Sequence, residues 1–246
     1  MLVFSLIISS AIILFGCVSK ESDSENFNSP SLFYKKALFD LDKGNYSEAL
    51  KKFSMITQDY PYTEWARQSF LKEISIHYHE KEYLEALNLA RKYIVFYPKS
   101  DDVAYAYYIL ARSYFDQIED IRHDEEPARA AISAMQEILD HYPKSEYVTD
   151  AKAIIHSARE KLAAKEMDIG RYYLNGLQYI AAVKRFSCVV KRYSDTTQIE
   201  EALYRLVEAN YAMGLISEAE ESANVLKHNY KGSSWSVDAW KLLKRN

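Results

Sequence analysis

Five alanines, Ala49, Ala86, Ala131, Ala182 and Ala219, are each followed eleven residues later by a tyrosine: Tyr60, Tyr97, Tyr142, Tyr193 and Tyr230. Both series advance by 37, 45, 51 and 37 residues. Phe53, Ala90, Met135, Phe186 and Ala223 stand four residues after the alanines, and Ile56, Tyr93, Ile138, Val189 and Leu226 seven after. Offsets of 0, 4, 7 and 11 share one face of a helix with 3.6 residues per turn. Every one of these positions is apolar or tyrosine, so the chain carries five copies of one amphipathic helix. A repeated helix that cannot bury its apolar stripe alone must stack on its neighbours, and this dictates a solenoid.

Punctuation supplies the partner helix of each repeat. Tyr60-Pro61, Tyr97-Pro98 and Tyr142-Pro143 end helices, because proline pushes the residue before it out of helical geometry. Thr63, Ser100 and Ser145 then stand where an N-cap belongs. Turns within pairs fall at Gly44-Asn45, near Lys81-Glu82, at Gly176-Leu177 and at Gly214-Leu215. The predicted pairs are 31–43 with 46–59, 63–80 with 83–96, 101–118 with 125–141, 146–175 with 179–192, and 197–213 with 216–229. A short helix at 235–244, carrying Trp235 and Trp240, caps the end. Only six glycines and five prolines interrupt 246 residues, consistent with an all-α chain.

The irregular steps divide the ladder. The 45 arises from an acidic loop, DQIEDIRHDEEP (116–127), and the 51 from a helix of about thirty residues, ~45 Å long. Residues 31–145 form an N-terminal set of three repeats; residues 146–246 form a C-terminal set of two with the long connecting helix and cap. Residues 17–145 carry 16 basic and 22 acidic groups, whereas 146–246 carry 15 and 13. The second set is therefore the better match for an acidic partner. A net charge of -4 gives no basic field for nucleic acid.

Residues 1–16, MLVFSLIISSAIILFG, carry no charge and run into Cys17. The apolar run is shorter than the ~20 residues of a spanning helix and fits the hydrophobic region of a signal peptide. Leu14-Phe15-Gly16-Cys17 resembles a lipobox, which implies a diacylglycerol and an N-acyl lipid on Cys17; an uncleaved signal anchor is the alternative. Residues 17–30 form a flexible tether, polar and serine-rich beyond Cys17. Cys188, the other cysteine, reads as an inert core residue.

No phosphate loop, nucleophile elbow or zinc-helix motif is present. His77 and His79, two apart on a helix, cannot chelate one ion together. The acidic run at 119–126 reads as a solvated loop before a cation site. No cofactor or metal is expected, and no catalytic constellation is found. Lys184, Arg185, Lys191 and Arg192 form two basic pairs seven apart, hence co-facial: a solvated face or a partner contact. Trp65, Tyr105, Tyr108 and Phe115 are either core or the lining of a groove.

The segment G-x-Y-x-E-A-L…F…YP…A resembles tetratricopeptide (TPR) repeats, which implies a right-handed superhelical solenoid of five helix pairs. Together with the lipobox and the order of the long steps, HDEEPARAAI (123–132), HYPKSEYVTDAK (141–152), REKLAAKE (159–166) and RYSDTTQIEEAL (192–203) resemble the BamD family of outer-membrane assembly lipoproteins. Ser194 departs from the family's proline at that turn. The resemblance implies a non-enzymatic scaffold, lipid-anchored on the periplasmic face of the outer membrane. Its partners would be a POTRA domain of BamA, further Bam lipoproteins, and unfolded outer-membrane proteins. It assigns Lys184, Arg185, Lys191 and Arg192 to BamA, with Arg185 and Lys191 foremost, and Trp65, Tyr105, Tyr108 and Phe115 to a substrate groove. A repeat adaptor of the Tol-Pal type is the alternative; it typically carries a coiled coil before its repeats, for which residues 18–30 are too short.

Overall fold

The computed structural model describes residues 29–118 and 124–244, and these form eleven helices and no strand. The helices are α1 (Pro30–Asp42), α2 (Tyr46–Asp59), α3 (Glu64–His79), α4 (Tyr83–Phe96), α5 (Val103–Phe115), α6 (Glu126–His141), α7 (Val148–Asn175), α8 (Tyr179–Arg192), α9 (Ile199–Ala212), α10 (Ile216–Asn229) and α11 (Ser234–Leu243). The signal-like segment, Cys17, nearly all of the tether and residues 119–123 of the acidic loop lie outside the described residues.

Each helix packs on the next, and the odd-numbered helices also touch one another: α1 with α3, α3 with α5, α5 with α7, and α9 with α11. The even-numbered helices have no comparable mutual contact, so the odd set lines the inner wall of an all-helical solenoid and the even set the outer. The repeat positions account for the core. All fifteen residues at offsets 0, 4 and 7 are fully buried, from Ala49, Phe53 and Ile56 to Ala219, Ala223 and Leu226. The alanines let backbones approach, and the larger side chains fill the space between.

The five tyrosines do something different. Each is the C-cap of its helix, with φ between -124° and -130°, and its N–H donates to the carbonyl of the offset-7 residue. Each tyrosine carbonyl then accepts an N–H three residues on, always from a serine or threonine: Thr63, Ser100, Ser145, Thr196 and Ser233, at 2.9–3.2 Å. Tyr193 keeps this turn although Ser194 replaces proline, so the turn is set by the tyrosine and the hydroxyl residue together. Thr63 caps α3, accepting from Ala66 N at 3.1 Å. Ser100 and Ser145 do not cap α5 and α7. They accept from the N–H two residues on, Asp102 at 3.1 Å and Tyr147 at 3.3 Å, and each helix starts two residues later than the capping reading placed it.

Inside the pairs, the residue five before the repeat alanine takes a left-handed conformation: Gly44 (φ 76°), Lys81 (φ 63°), Leu177 (φ 57°) and Gly214 (φ 76°). In the fourth pair Gly176 has an ordinary φ of -82°, and the leucine after it carries the turn.

The 28-residue helix α7 is about 42 Å long. Its Ala151 and Ile154 belong to the core of α3–α6. Its Ala158, Leu162, Ala163, Met167 and Leu174 belong to the core shared with α8 and α9. One rigid helix therefore takes part in two successive cores.

Candidate functional site

The four basic residues singled out from the sequence lie on α8 and come together at one open hollow of about 710 Å3, walled by Lys184, Arg185, Lys191, Arg192, Glu166 and Cys188 among others. Lys184, Lys191 and Arg192 are exposed. Arg185 is already engaged: its Nη1 donates to Glu166 Oε2 on α7 at 3.1 Å. That carboxylate is buried and holds the guanidinium firmly protonated. Glu166 had no signal in the sequence beyond its place in the long helix. Arg192 contributes through its backbone too, since its carbonyl accepts from Arg159 Nη2 at 2.6 Å. Arg159 also clasps Asp195, with Nε at 2.9 Å from Oδ2, while Arg171 donates to both oxygens of Glu201, at 2.9 and 2.6 Å. These pairs pin α7 to α9 and to the turn before it.

Cys188 is half-buried on the wall of this hollow, not sunk in the core as its apolar face suggested. Burial pushes its thiol up from the ordinary value, which keeps it protonated and a poor nucleophile.

The four aromatic residues are only partly brought together. Tyr105 and Tyr108, on the inner-wall helix α5, both meet Tyr147 at the start of α7, with ring centroids 5.8 and 4.7 Å apart; the second pair is stacked. Tyr105 and Tyr147 line an open groove of about 590 Å3 that the Tyr142–Glu146 turn completes. Tyr108 Oη donates to Asp150 at 3.3 Å, and burial pushes the Tyr147 phenol up to about 12. All three therefore stay neutral hydroxyls at physiological pH. Trp65 instead packs against Tyr34 in the first repeat, centroids 5.3 Å apart. Phe115 sits at the junction of the two central cores. Tyr147 is the groove residue that sequence reasoning missed. It stands five residues after the repeat tyrosine Tyr142, at the end of a turn, so no helical stripe marked it.

Among the described residues no group of three or more His, Cys, Asp and Glu side chains is placed to hold a metal ion. His77 and His79 bond separately, to Glu82 at 2.6 Å and Glu80 at 3.2 Å. No helix among the described residues is long and apolar enough to cross a membrane.

A helix-pair solenoid with a basic hollow on one repeat and an aromatic groove beside the turn between its third and fourth repeats is a binding scaffold in form. Comparison narrows the class: residues 27–226 match the family described as YfiO, outer membrane lipoprotein. The chain is 40% identical to the outer membrane protein assembly factor BamD of Caulobacter vibrioides, over 87% of this chain and 70% of that protein. It is 32% identical to BamD of Rickettsia prowazekii, over 98% and 96%. The chain belongs to the BamD family. Among solved structures, the thermophilic TPR protein TTC0263 of Thermus thermophilus is similar at 17% identity, over 87% of this chain and 99% of that one, with a TM-score of 0.40.

Proposed function

We propose that the chain is a lipid-anchored periplasmic scaffold that serves the assembly of outer-membrane proteins, docking an acidic surface of a BamA POTRA domain on the fourth repeat. The observation that carries this reading is the convergence of Lys184, Arg185, Lys191 and Arg192 at one open hollow in a chain of the BamD family. Cationic side chains around an open concavity favour an acidic partner and speed its encounter. Arg185 is the positioned member and the other three are free to reach outward. The groove beside Tyr105, Tyr108 and Tyr147 is the complementary site, suited to extended aromatic segments of unfolded outer-membrane proteins through ring stacking and hydroxyl hydrogen bonds. Acylation of Cys17 holds the assembly at the bilayer, with further Bam lipoproteins alongside.

A tagged full-length chain recovered from detergent-solubilised envelopes should bring down a POTRA-containing barrel protein. A Lys184→Glu, Lys191→Glu double variant should lose it while staying folded. Recovery of a Tol component instead, or undiminished recovery of the barrel protein by the double variant, overturns the docking assignment.

A further inference from the structure

The turns of the solenoid alternate between two edges. The five Tyr-x-x-Ser/Thr turns share one edge because successive helices run antiparallel, and the N-terminus of α1 opens on the same edge. The entry point is fixed by contact: Tyr34, in the second turn of α1, packs 5.3 Å from Trp65, which directly follows the Tyr60–Thr63 turn. At this end of the edge lies an apolar patch that no described element of the fold covers. Tyr62 is 100% exposed, Val95 72% and Phe96 66%. Pro61 and Pro98 are exposed beside them. The first two turns form one surface, because Tyr97 Oη donates to Pro61 O at 3.2 Å. The ring of Phe70 lies 6.5 Å from those of both Phe96 and Tyr97. Large apolar side chains gathered in one exposed patch mark a surface that another body covers.

We infer that the first two turns of this edge rest on the lipid bilayer, with Tyr62, Val95 and Phe96 inserted at the headgroup level. The inference rests on the proposed acylation of Cys17. From Cys17 to the first described residue, Ser29, there are only the residues 18–28. A chain of that length spans at most ~40 Å between its ends. The tether joins α1 where that helix opens on this edge, so the patch is held near the bilayer at high effective concentration. Its chemistry matches that position. Tyrosine places an apolar ring below a hydroxyl that stays in water, and Phe96 and Val95 supply purely apolar area. Exposed Lys99, next to Pro98, and Lys35 and Lys36 on α1 can reach phosphate groups while their stems lie along the surface. Asp59 and Asp101 flank the patch and limit it to shallow insertion. A bilayer-seated edge also fixes the tilt of the solenoid, so that the opposite edge points into the periplasm.

The test uses the full, acylated chain with Cys188→Ser, reconstituted in vesicles of phosphatidylethanolamine and phosphatidylglycerol. Tyr62→Cys, Phe96→Cys or, on the opposite edge, Tyr172→Cys (75% exposed) carries an environment-sensitive fluorophore. Labels at 62 and 96 should shift to the blue and be quenched about twofold or more by headgroup-region spin-labelled lipid, with the label at 172 unaffected. If the chain floats with the vesicles yet neither label is quenched, the inference fails and the anchor stands. Failure of the chain to float defeats the anchor and the inference together. A blue shift already present in a Cys17→Ala chain without vesicles would give the patch to the tether, and protection by added unfolded barrel protein would give it to a substrate; either overturns the inference.

Discussion

Phe186 presses one edge of its ring against Gly170: a Cβ on that glycine would stand 2.8 Å from both Cδ1 and Cζ of the ring. Phe186 is the offset-4 residue of the fourth repeat and is fully buried, and Gly170 belongs to the half of α7 that serves the C-terminal core. A glycine inside a helix ordinarily costs stability, so its presence here marks a close approach. Gly170→Ala should therefore destabilise by about 1–3 kcal/mol, against the usual direction for this change in a helix. Chemical denaturation of the two chains checks it, and an unchanged or raised midpoint would refute the packing argument.

Glu73 on α3 is buried, and burial pushes its carboxyl up to about 7. Its one donor is Thr57 Oγ1, at 3.1 Å, but that hydroxyl also lies 2.9 Å from Ser54 O. A single proton cannot serve both acceptors, so a protonated Glu73 satisfies the pair better. In the unfolded chain Glu73 loses its proton at the ordinary 4.5, whereas in the folded chain it keeps it to about 7. The folded state thus binds more protons across that window, and stability falls as pH rises through it, by about 3 kcal/mol when complete. Carboxylates held low by arginine, such as Asp195 and Glu201, act below this window and with the opposite sign. Urea midpoints at about pH 5 and about pH 8 should differ for the native chain and converge for Glu73→Gln. Equal pH dependence in both would remove Glu73 as the source.

How much of this was legible beforehand follows from periodicity. A stripe at offsets 0, 4 and 7 is written in residue type, and all fifteen members are buried as the stripe required. Long-range pairings have no such signature. Nothing near Glu166 announces that Arg185, nineteen residues on, will close on it, and Gly170 carries no mark of Phe186. The tyrosine-to-hydroxyl turn was half legible: three prolines drew attention to the first three turns, while Thr196 and Ser233 keep the same turn without one. The four aromatics picked from the sequence are only partly brought together because Trp65 packs into the first-repeat core, while Phe115 sits at the other end of α5 from Tyr105, where the two central cores meet.

Arg185 and Lys191 should separate into a structural and a docking role. Arg185→Ala leaves the buried Glu166 without its partner; with the guanidinium 41% exposed, solvent screening reduces the loss to about 1 kcal/mol of stability. Lys191, exposed on the rim, should leave stability unchanged when replaced by alanine but slow association with an acidic partner, more at low salt than at high. Thermal melts and salt-dependent association rates measure the two effects. A stability loss for Lys191→Ala equal to that of Arg185→Ala would dissolve the distinction.

At Ser194 the fourth turn lacks the proline of the first three. Tyr193 already holds φ -130° and ψ 36°, close to the -127° and 50° of Tyr97 before Pro98. The Ser194 N–H makes no backbone hydrogen bond in the turn, since the carbonyls of the C-cap region accept from Tyr193 and Thr196. Proline at this position therefore removes no bond and asks for no new geometry from the residue before it. What it changes is the unfolded chain, whose freedom at one residue is reduced. Ser194→Pro should raise stability by about 0.4–1 kcal/mol. The same substitution at Thr196, whose N–H donates to Tyr193 O at 3.1 Å, should lower it by more than that gain. Denaturation midpoints for the two variants decide the matter: a destabilised Ser194→Pro chain would mean that position 194 does not accept proline's fixed φ, and the likeness of Tyr193 to Tyr97 would not carry the argument.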